Sequence, residues 1–157
     1  MAGFQWPTLL QSLLSEGIQA KVSSVSFNAK SLLGEATFLP GSVVVPAGDK
    51  QPEAYLEKLR IMADKLSIRI WPITTGLTTE GSDLGSNRIL PVKSPKILII
   101  GGRGMSQYEV GEVWHYLDQQ LGLAPSIVEW DRLNDVSLDE YSHIIATSGN
   151  YSKIENS

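Results

Sequence analysis

The chain has 157 residues, a formal net charge of −4, 42% hydrophobic residues and 19% charged residues, which predicts a soluble folded protein rather than a disordered one. It contains no Cys, which excludes disulfides, thiolate metal ligands and a Cys nucleophile. Lys and Arg form no cluster, so we expect no nucleic-acid partner, and no apolar run is long enough to predict a membrane span.

The sequence pattern of residues 1–75 predicts an N-terminal α/β portion. A short helix begins at Trp6 and Pro7 and ends near Gly17, and a second covers about residues 52–66, with Asp49 or Gln51 as its cap. Alternating or β-branched segments predict strands at residues 21–27, 42–45 and 68–73, and Pro40 and Gly41 predict a turn. The opening residues lack the basic segment of a signal peptide, so the compartment stays open.

The segment at residues 74–95 is rich in Gly, Ser and Thr and has few apolar residues. Loops of this length are uncommon inside compact domains, so we interpret residues 76–95 as a crossover or linker. Asp83 and Arg88 lie in it; they could bind a polar ligand or pair with each other, and we favour the surface pair.

Residues 96–157 have the most regular alternation of strand and helix patterns in the chain. An apolar run at residues 97–100 meets a Gly-rich turn, a helical pattern covers residues 106–121, and strands follow at 126–130 and 143–146. This order predicts an α/β fold with a mostly parallel sheet flanked by helices. Such sheets usually need more βα units, so we expect a truncated sheet from a larger protein.

The Gly-rich turn and the turn after the last strand form the first candidate ligand site. Backbone N–H groups at a helix N-terminus can hold an anion. The favoured alternative is that glycine only permits the tight turn, because position 107 is Gln rather than the third Gly of a dinucleotide fingerprint. The candidate binding residues are Gly101, Gly102, Gly104, Ser106, Ser148 and Gly149.

Two further patterns could carry chemistry. Glu112, His115 and Asp118 are spaced for one helix face, which could ligate a metal, but the chain has only two His and we favour a solvated face. Ser148 could be a nucleophile, although the Gly-x-Ser-x-Gly elbow is missing and a turn Ser is the favoured interpretation. We therefore predict no catalytic residue and no metal ligand in this chain.

Four segments carry a resemblance to a known family. They are FLPGSVVVPAG at 38–48, TTGLTTEGSDLGS at 74–86, SPKILIIGGRGMSQYEVGEVWHYLDQQLG at 94–122 and DEYSHIIATSGNY at 139–151. Their order resembles the region that follows the catalytic domain in bacterial zinc carboxypeptidases of the carboxypeptidase A-like group. The resemblance implies a flavodoxin-like domain similar to the class I glutamine amidotransferases, without amidotransferase chemistry.

The resemblance also has departures that bear on activity. The peptidase binds zinc through a His-x-x-Glu pair and a distant His, but Asp118 follows His115 and Ala146 follows His143 at that spacing. The amidotransferase nucleophile is a Cys, which is absent. Zinc is therefore expected only in the peptidase domain of the parent protein, and this chain is expected to hold no cofactor.

These considerations lead to one expectation and one alternative. We expect a non-catalytic accessory domain that packs against the peptidase domain of its parent or forms a homodimer through a sheet edge. The compartment stays open, and a secreted or periplasmic parent is one alternative. The alternative is a module that binds a small anion or metabolite at the Gly101 to Gly104 loop.

Overall fold

The computed structural model describes residues 5–48 and 50–151, which fall into two compact units. The first unit ends at Ser94 and the second begins at Pro95. The predicted cap at Asp49 lies outside the described residues, and Gln51 does not lie at the start of the second helix, which begins four residues later.

Two helices cover one side of the first core. Helix α1 spans Gln5–Ser15 and α2 spans Tyr55–Lys65. Gly17 ends α1 with a φ of 74°, so that the Ile18 N–H reaches the Leu13 carbonyl at 2.9 Å in a Schellman motif. Ile18 is thereby placed in the buried cluster of the first unit, beside Leu9 and Leu13 of α1 and Leu59 of α2.

The first unit contains two antiparallel three-stranded sheets. In one, β1 (Ala20–Ser23) lies between β4 (Val43–Val44) and β6 (Ile89–Val92). In the other, β2 (Phe27–Ser31) lies between β3 (Gly34–Phe38) and β5 (Glu80–Gly81). Phe27, Ala29 and Ile89 form a second buried cluster.

The predicted strand at residues 21–27 is divided between these two sheets. The Ser23 hydroxyl donates to the Val25 carbonyl and accepts from the Val25 N–H, so the backbone turns locally instead of continuing the ladder. The predicted strand at residues 68–73 is absent, and the Pro72 carbonyl makes a single bond, from the Leu32 N–H. Ile68 and Ile70 still pack against the first core.

The segment that we interpreted as a linker is part of the first unit. It contains β5 and β6, and β6 pairs with β1 along its whole length. Asp83 does not pair with Arg88; its carboxylate accepts from the Thr78 N–H at 2.9 Å and from the Thr78 hydroxyl. The Asp83 side chain therefore stabilises the local turn between residues 78 and 83, since its donor Thr78 is only five residues away along the chain.

The second unit is a parallel three-stranded sheet with a helix. The central strand β7 (Ile97–Gly101) pairs with β8 (Ser126–Glu129) on one side and with β9 (His143–Ala146) on the other. Helix α3 (Gln107–His115) follows β7, and a π-helical turn at Tyr116–Gln120 continues it. Ile97, Ile99, Val110 and Leu117 form the buried cluster between strand and helix.

The fold is thus α/β with helices and small sheets, of which one is parallel. The expectation of a mostly parallel sheet holds for the second unit and is wrong for the first. In the first unit a short turn joins β2 to β3 and the other strand pairs are far apart along the chain, and all of them are antiparallel. In the second unit the crossover through α3 permits parallel pairing.

Candidate functional site

The two predicted turns lie together at the carboxyl ends of β7 and β9. The Ser106 N–H donates to the Ser148 carbonyl at 2.8 Å, and the Asn150 N–H donates to the Gly104 carbonyl at 3.1 Å. Met105 and Gly149 form an antiparallel bridge between the turns. The structure therefore brings the predicted residues of both turns into one cluster, which we call the carboxyl-end cluster (residues 101–106 and 147–150).

Tight packing accounts for two of its glycines. Gly102 has a φ of 95°, and a Cβ there would lie 3.1 Å from the Glu129 Cβ. A Cβ on Gly149 would lie 2.9 Å from the Gly104 carbonyl oxygen and 3.1 Å from the Met105 Cα. Backbone atoms occupy this space, so Gly149 is required for close approach of the turns rather than for contact with a ligand.

The N-terminus of α3 is capped within the cluster. The Ser106 hydroxyl accepts from the Glu109 N–H, and the Gln107 side chain donates to the Gly102 carbonyl at 2.7 Å. In an ordinary capping box the Glu three residues after the cap would bond back to the cap N–H. Here the Ser106 N–H donates to the Ser148 carbonyl instead, so the Glu109 carboxylate accepts from a different donor.

The Glu109 carboxylate occupies one backbone donor of the carboxyl-end cluster. It accepts from the Ser148 N–H at 2.7 Å. This backbone bond, and after it a bond from the Ser148 side chain, hold the pKa of the Glu109 carboxyl below its ordinary value of 4.5. Glu109 therefore stays ionised at neutral pH, and a second anion at Ser148 would meet its negative charge.

One polar group in the cluster lacks a partner. The Thr147 side chain is buried, with 6% exposure, and its hydroxyl has no hydrogen-bond partner within the described part of the chain. Thr147 lies two residues after Ile145, which packs against the cluster formed by α3 and β7.

The other predicted candidates stay apart. Glu112 and His115 are exposed on α3, and no group of three His, Asp or Glu residues suited to a metal ion occurs in residues 5–48 and 50–151. The His143 ring contacts the Ser142 hydroxyl at 2.9 Å at the amino end of β9, so it lies away from Ser148, which follows the carboxyl end. Ser148 itself bonds to Ser106 and Glu109.

Sequence reasoning missed Glu109, and it included Thr147 only as part of the turn after the last strand, without predicting that its hydroxyl is buried. The Ser-x-x-Glu pattern at Ser106 and Glu109 was a usable signal for a helix N-terminus with a carboxylate near it. The burial of Thr147 had no such signal, since it depends on packing that residue spacing does not give.

Comparisons with models of known protein families, with curated proteins and with solved structures each gave no match. Within the described residues, no helix has both the length and the apolar character needed to cross a membrane.

Proposed function

We propose that this chain is a non-catalytic accessory module that docks onto another protein body through the edges of its parallel sheet. The observation that carries the proposal is the exposure of apolar side chains on both edge strands. Ile127 of β8 is 49% exposed and Ile144 of β9 is 46% exposed, whereas Leu98 and Ile99 of β7 are fully buried. Strands of parallel sheets are usually covered on both faces, so exposed Ile here favours a further partner.

The partner class comes from the sequence resemblance alone. The four matching segments resemble the region beside the catalytic domain of bacterial zinc carboxypeptidases, so the proposed partner is such a peptidase domain, with its zinc held there. The finer fold, flavodoxin-like, belongs to the same proposal. Its support is the strand order β8-β7-β9, which is second, first, third along the chain and corresponds to the start of the flavodoxin order.

An association experiment tests the docking proposal. Sedimentation velocity would follow the chain alone and mixed with the catalytic domain of a bacterial zinc carboxypeptidase from the resembling group. We expect a complex, or self-association through the same edges, that Ile127→Lys and Ile144→Lys each weaken. Ile61→Lys makes the same change at an exposed site on α2, in the other unit, and should have no effect.

The outcomes are distinct. Association lost only in the edge variants supports the proposal, and a complex with the peptidase domain rather than a homodimer supports the partner class. No association of either kind, or equal weakening by Ile61→Lys, would overturn docking through the edges.

The alternative function, binding of a small anion at the carboxyl-end cluster, has one observation in its favour, the buried unpartnered Thr147 hydroxyl. The carboxylate of Glu109 on Ser148 counts against it. Titration with inorganic phosphate, followed by the amide signals of Ser106 and Ser148, tests it. Saturable binding that Thr147→Val removes would favour this function over docking alone.

A further inference from the structure

The geometry points to a binding site in the first unit for a small organic anion with an apolar body, in a cavity that holds two unpaired lysines. The cavity has a volume of about 460 Å³ and lies where α1 ends and β1 begins, beside the end of β6. Sites for small organic ligands commonly have volumes of about 300–1,000 Å³, with mostly apolar walls and a few polar groups that fix orientation.

The walls of the cavity are apolar and come from three segments. Leu14 and Ile18 line it from the end of α1, Pro46 from the segment after β4, and Pro91 and Val92 from β6. Pro91 has no N–H and is an edge-strand residue, so it adds an apolar ring without an unpaired backbone donor. These walls suit the hydrocarbon part of a ligand rather than a fully hydrated ion.

Two lysines supply the charge. Lys21 of β1 pairs in register with Pro91, and Lys93 lies two residues beyond Pro91, directly after the end of β6. Diagonal neighbours of this kind have Cα atoms about 7–8 Å apart, which lets two long side chains reach one anionic group between them. Both lysines line the cavity.

Neither lysine is neutralised by the protein. Within residues 5–48 and 50–151, no ion pair includes Lys21 or Lys93, and no Asp or Glu lines the cavity. Glu16, the acid just before the wall residue Gly17, is paired with Lys58 at 2.6 Å. The charge of the cavity is therefore positive and is left for a ligand of opposite sign.

Side-chain amides hold the rim in place. Gln51 accepts from the Gln19 N–H at 2.9 Å and donates to the Gln19 carbonyl at 2.9 Å and the Pro46 carbonyl at 2.7 Å. On the other side, the Gln11 amide and the Ser94 hydroxyl bond to each other at 3.1 Å. Because both sides of the rim are tied, the cavity is formed before a ligand arrives, which lowers the ordering cost of binding.

The probe for this site is hexanoate, which joins a carboxylate to a short alkyl chain. Titration of the whole chain would be followed by the amide signals of Ala20 and Val92, with 1-hexanol and inorganic phosphate as comparison probes. We expect saturable shifts with hexanoate and weaker binding of both comparison probes, since each lacks one half of the recognised chemistry.

Variants test the role of the charge. Lys21→Met and Lys93→Met keep an apolar stem, and each should weaken hexanoate binding about two- to fivefold, the range typical of one solvent-accessible ion pair. Lys30→Met removes the same charge at an exposed site on β2 and should leave the affinity unchanged. Lys93 is exposed, so its variant keeps the test informative if Lys21→Met disturbs β1.

Several results would overturn the proposal. These are the absence of saturable binding, equal affinity for 1-hexanol and hexanoate, equal affinity for phosphate and hexanoate, or equal weakening by Lys30→Met. Because the cavity lies wholly in the first unit, these results are independent of the docking test on β8 and β9.

Discussion

The carboxyl ends and the edge strands of the parallel sheet differ in how far contacts within the chain cover them. At the carboxyl ends of β7 and β9, backbone bonds join the two turns and Glu109 takes the Ser148 N–H. At the edges, β8 and β9 have no further strand beside them within the described residues, and Ile127 and Ile144 are about half exposed. In open α/β sheets the carboxyl ends usually bind ligands. Here the Thr147 hydroxyl is an unpartnered group at the carboxyl ends, whereas the exposed apolar side chains lie on the edge strands.

The largest expected effect sharpens the contrast between the centre and the edge of the sheet. Leu98 is fully buried on β7 and lies in register with the half-exposed Ile144 of β9. Leu98→Ala should lower the free energy of unfolding by about 3 kcal/mol, because it leaves a cavity in the core. Ile144→Ala should cost less than about 1 kcal/mol, since much of its surface already meets water. Urea unfolding measured by circular dichroism compares the two, and equal costs would mean that the edge is covered.

The next effect concerns the closure of the carboxyl-end cluster. Gly149→Ala should destabilise the chain by about 2 kcal/mol, because the added Cβ meets the backbone of Gly104 and Met105. Gly111→Ala, in the middle of α3 with open space around it, should stabilise by about 0.5–1 kcal/mol through helix propensity. Thermal unfolding of both variants checks the opposite signs. A tolerated Gly149→Ala would show that the turns are not closely packed.

A smaller effect depends on pH. The pKa of Glu109 is lower in the folded chain than its ordinary value, because the carboxylate accepts from Ser148, so the unfolded chain binds the proton more readily. The ionised Glu109 carboxylate therefore stabilises the fold fully above the pKa that Glu109 has in the unfolded chain. This stabilisation is lost as pH falls through the lower pKa that Glu109 has in the folded chain. Glu109→Gln should lower the free energy of unfolding at pH 7 and have less effect at pH 3.

The matched control for this experiment is Glu112→Gln, which removes the same charge from an exposed position on the same helix. Urea unfolding at both pH values should show little difference between this variant and the original chain. If the Glu109 and Glu112 variants have the same pH dependence, the bond to Ser148 does not stabilise the cluster.

The regular part of the second unit was largely predictable from sequence. The strand at residues 143–146 was placed with its observed bounds, and the strands at 97–100 and 126–130 were placed within one residue at their ends. Buried parallel strands are short continuous apolar runs, and here a Gly-rich turn and a helical pattern follow the first of them. The predicted helix was right in extent, although its final turn is π-helical.

The first unit was harder to predict because its signals are local and short. Ser23 breaks a segment that alternates like one strand, and β5 and β6 lie in a stretch whose composition suggested a linker. Their pairing with β1 and β2 depends on partners far along the chain. In the carboxyl-end cluster, the proximity of the two turns followed from the parallel order of the strands. The hydrogen bond from the Ser148 N–H to the Glu109 carboxylate depends on side-chain geometry that residue spacing alone does not give.

The most direct test of the proposal that this chain is a non-catalytic accessory module is a calorimetric zinc titration of the purified chain. A hydrolysis assay on carboxypeptidase substrates would be run on the same sample. The account predicts neither stoichiometric zinc binding nor turnover. Tight one-to-one zinc binding that His115→Ala abolishes, together with turnover, would contradict it and would make Glu112, His115 and Asp118 a metal site.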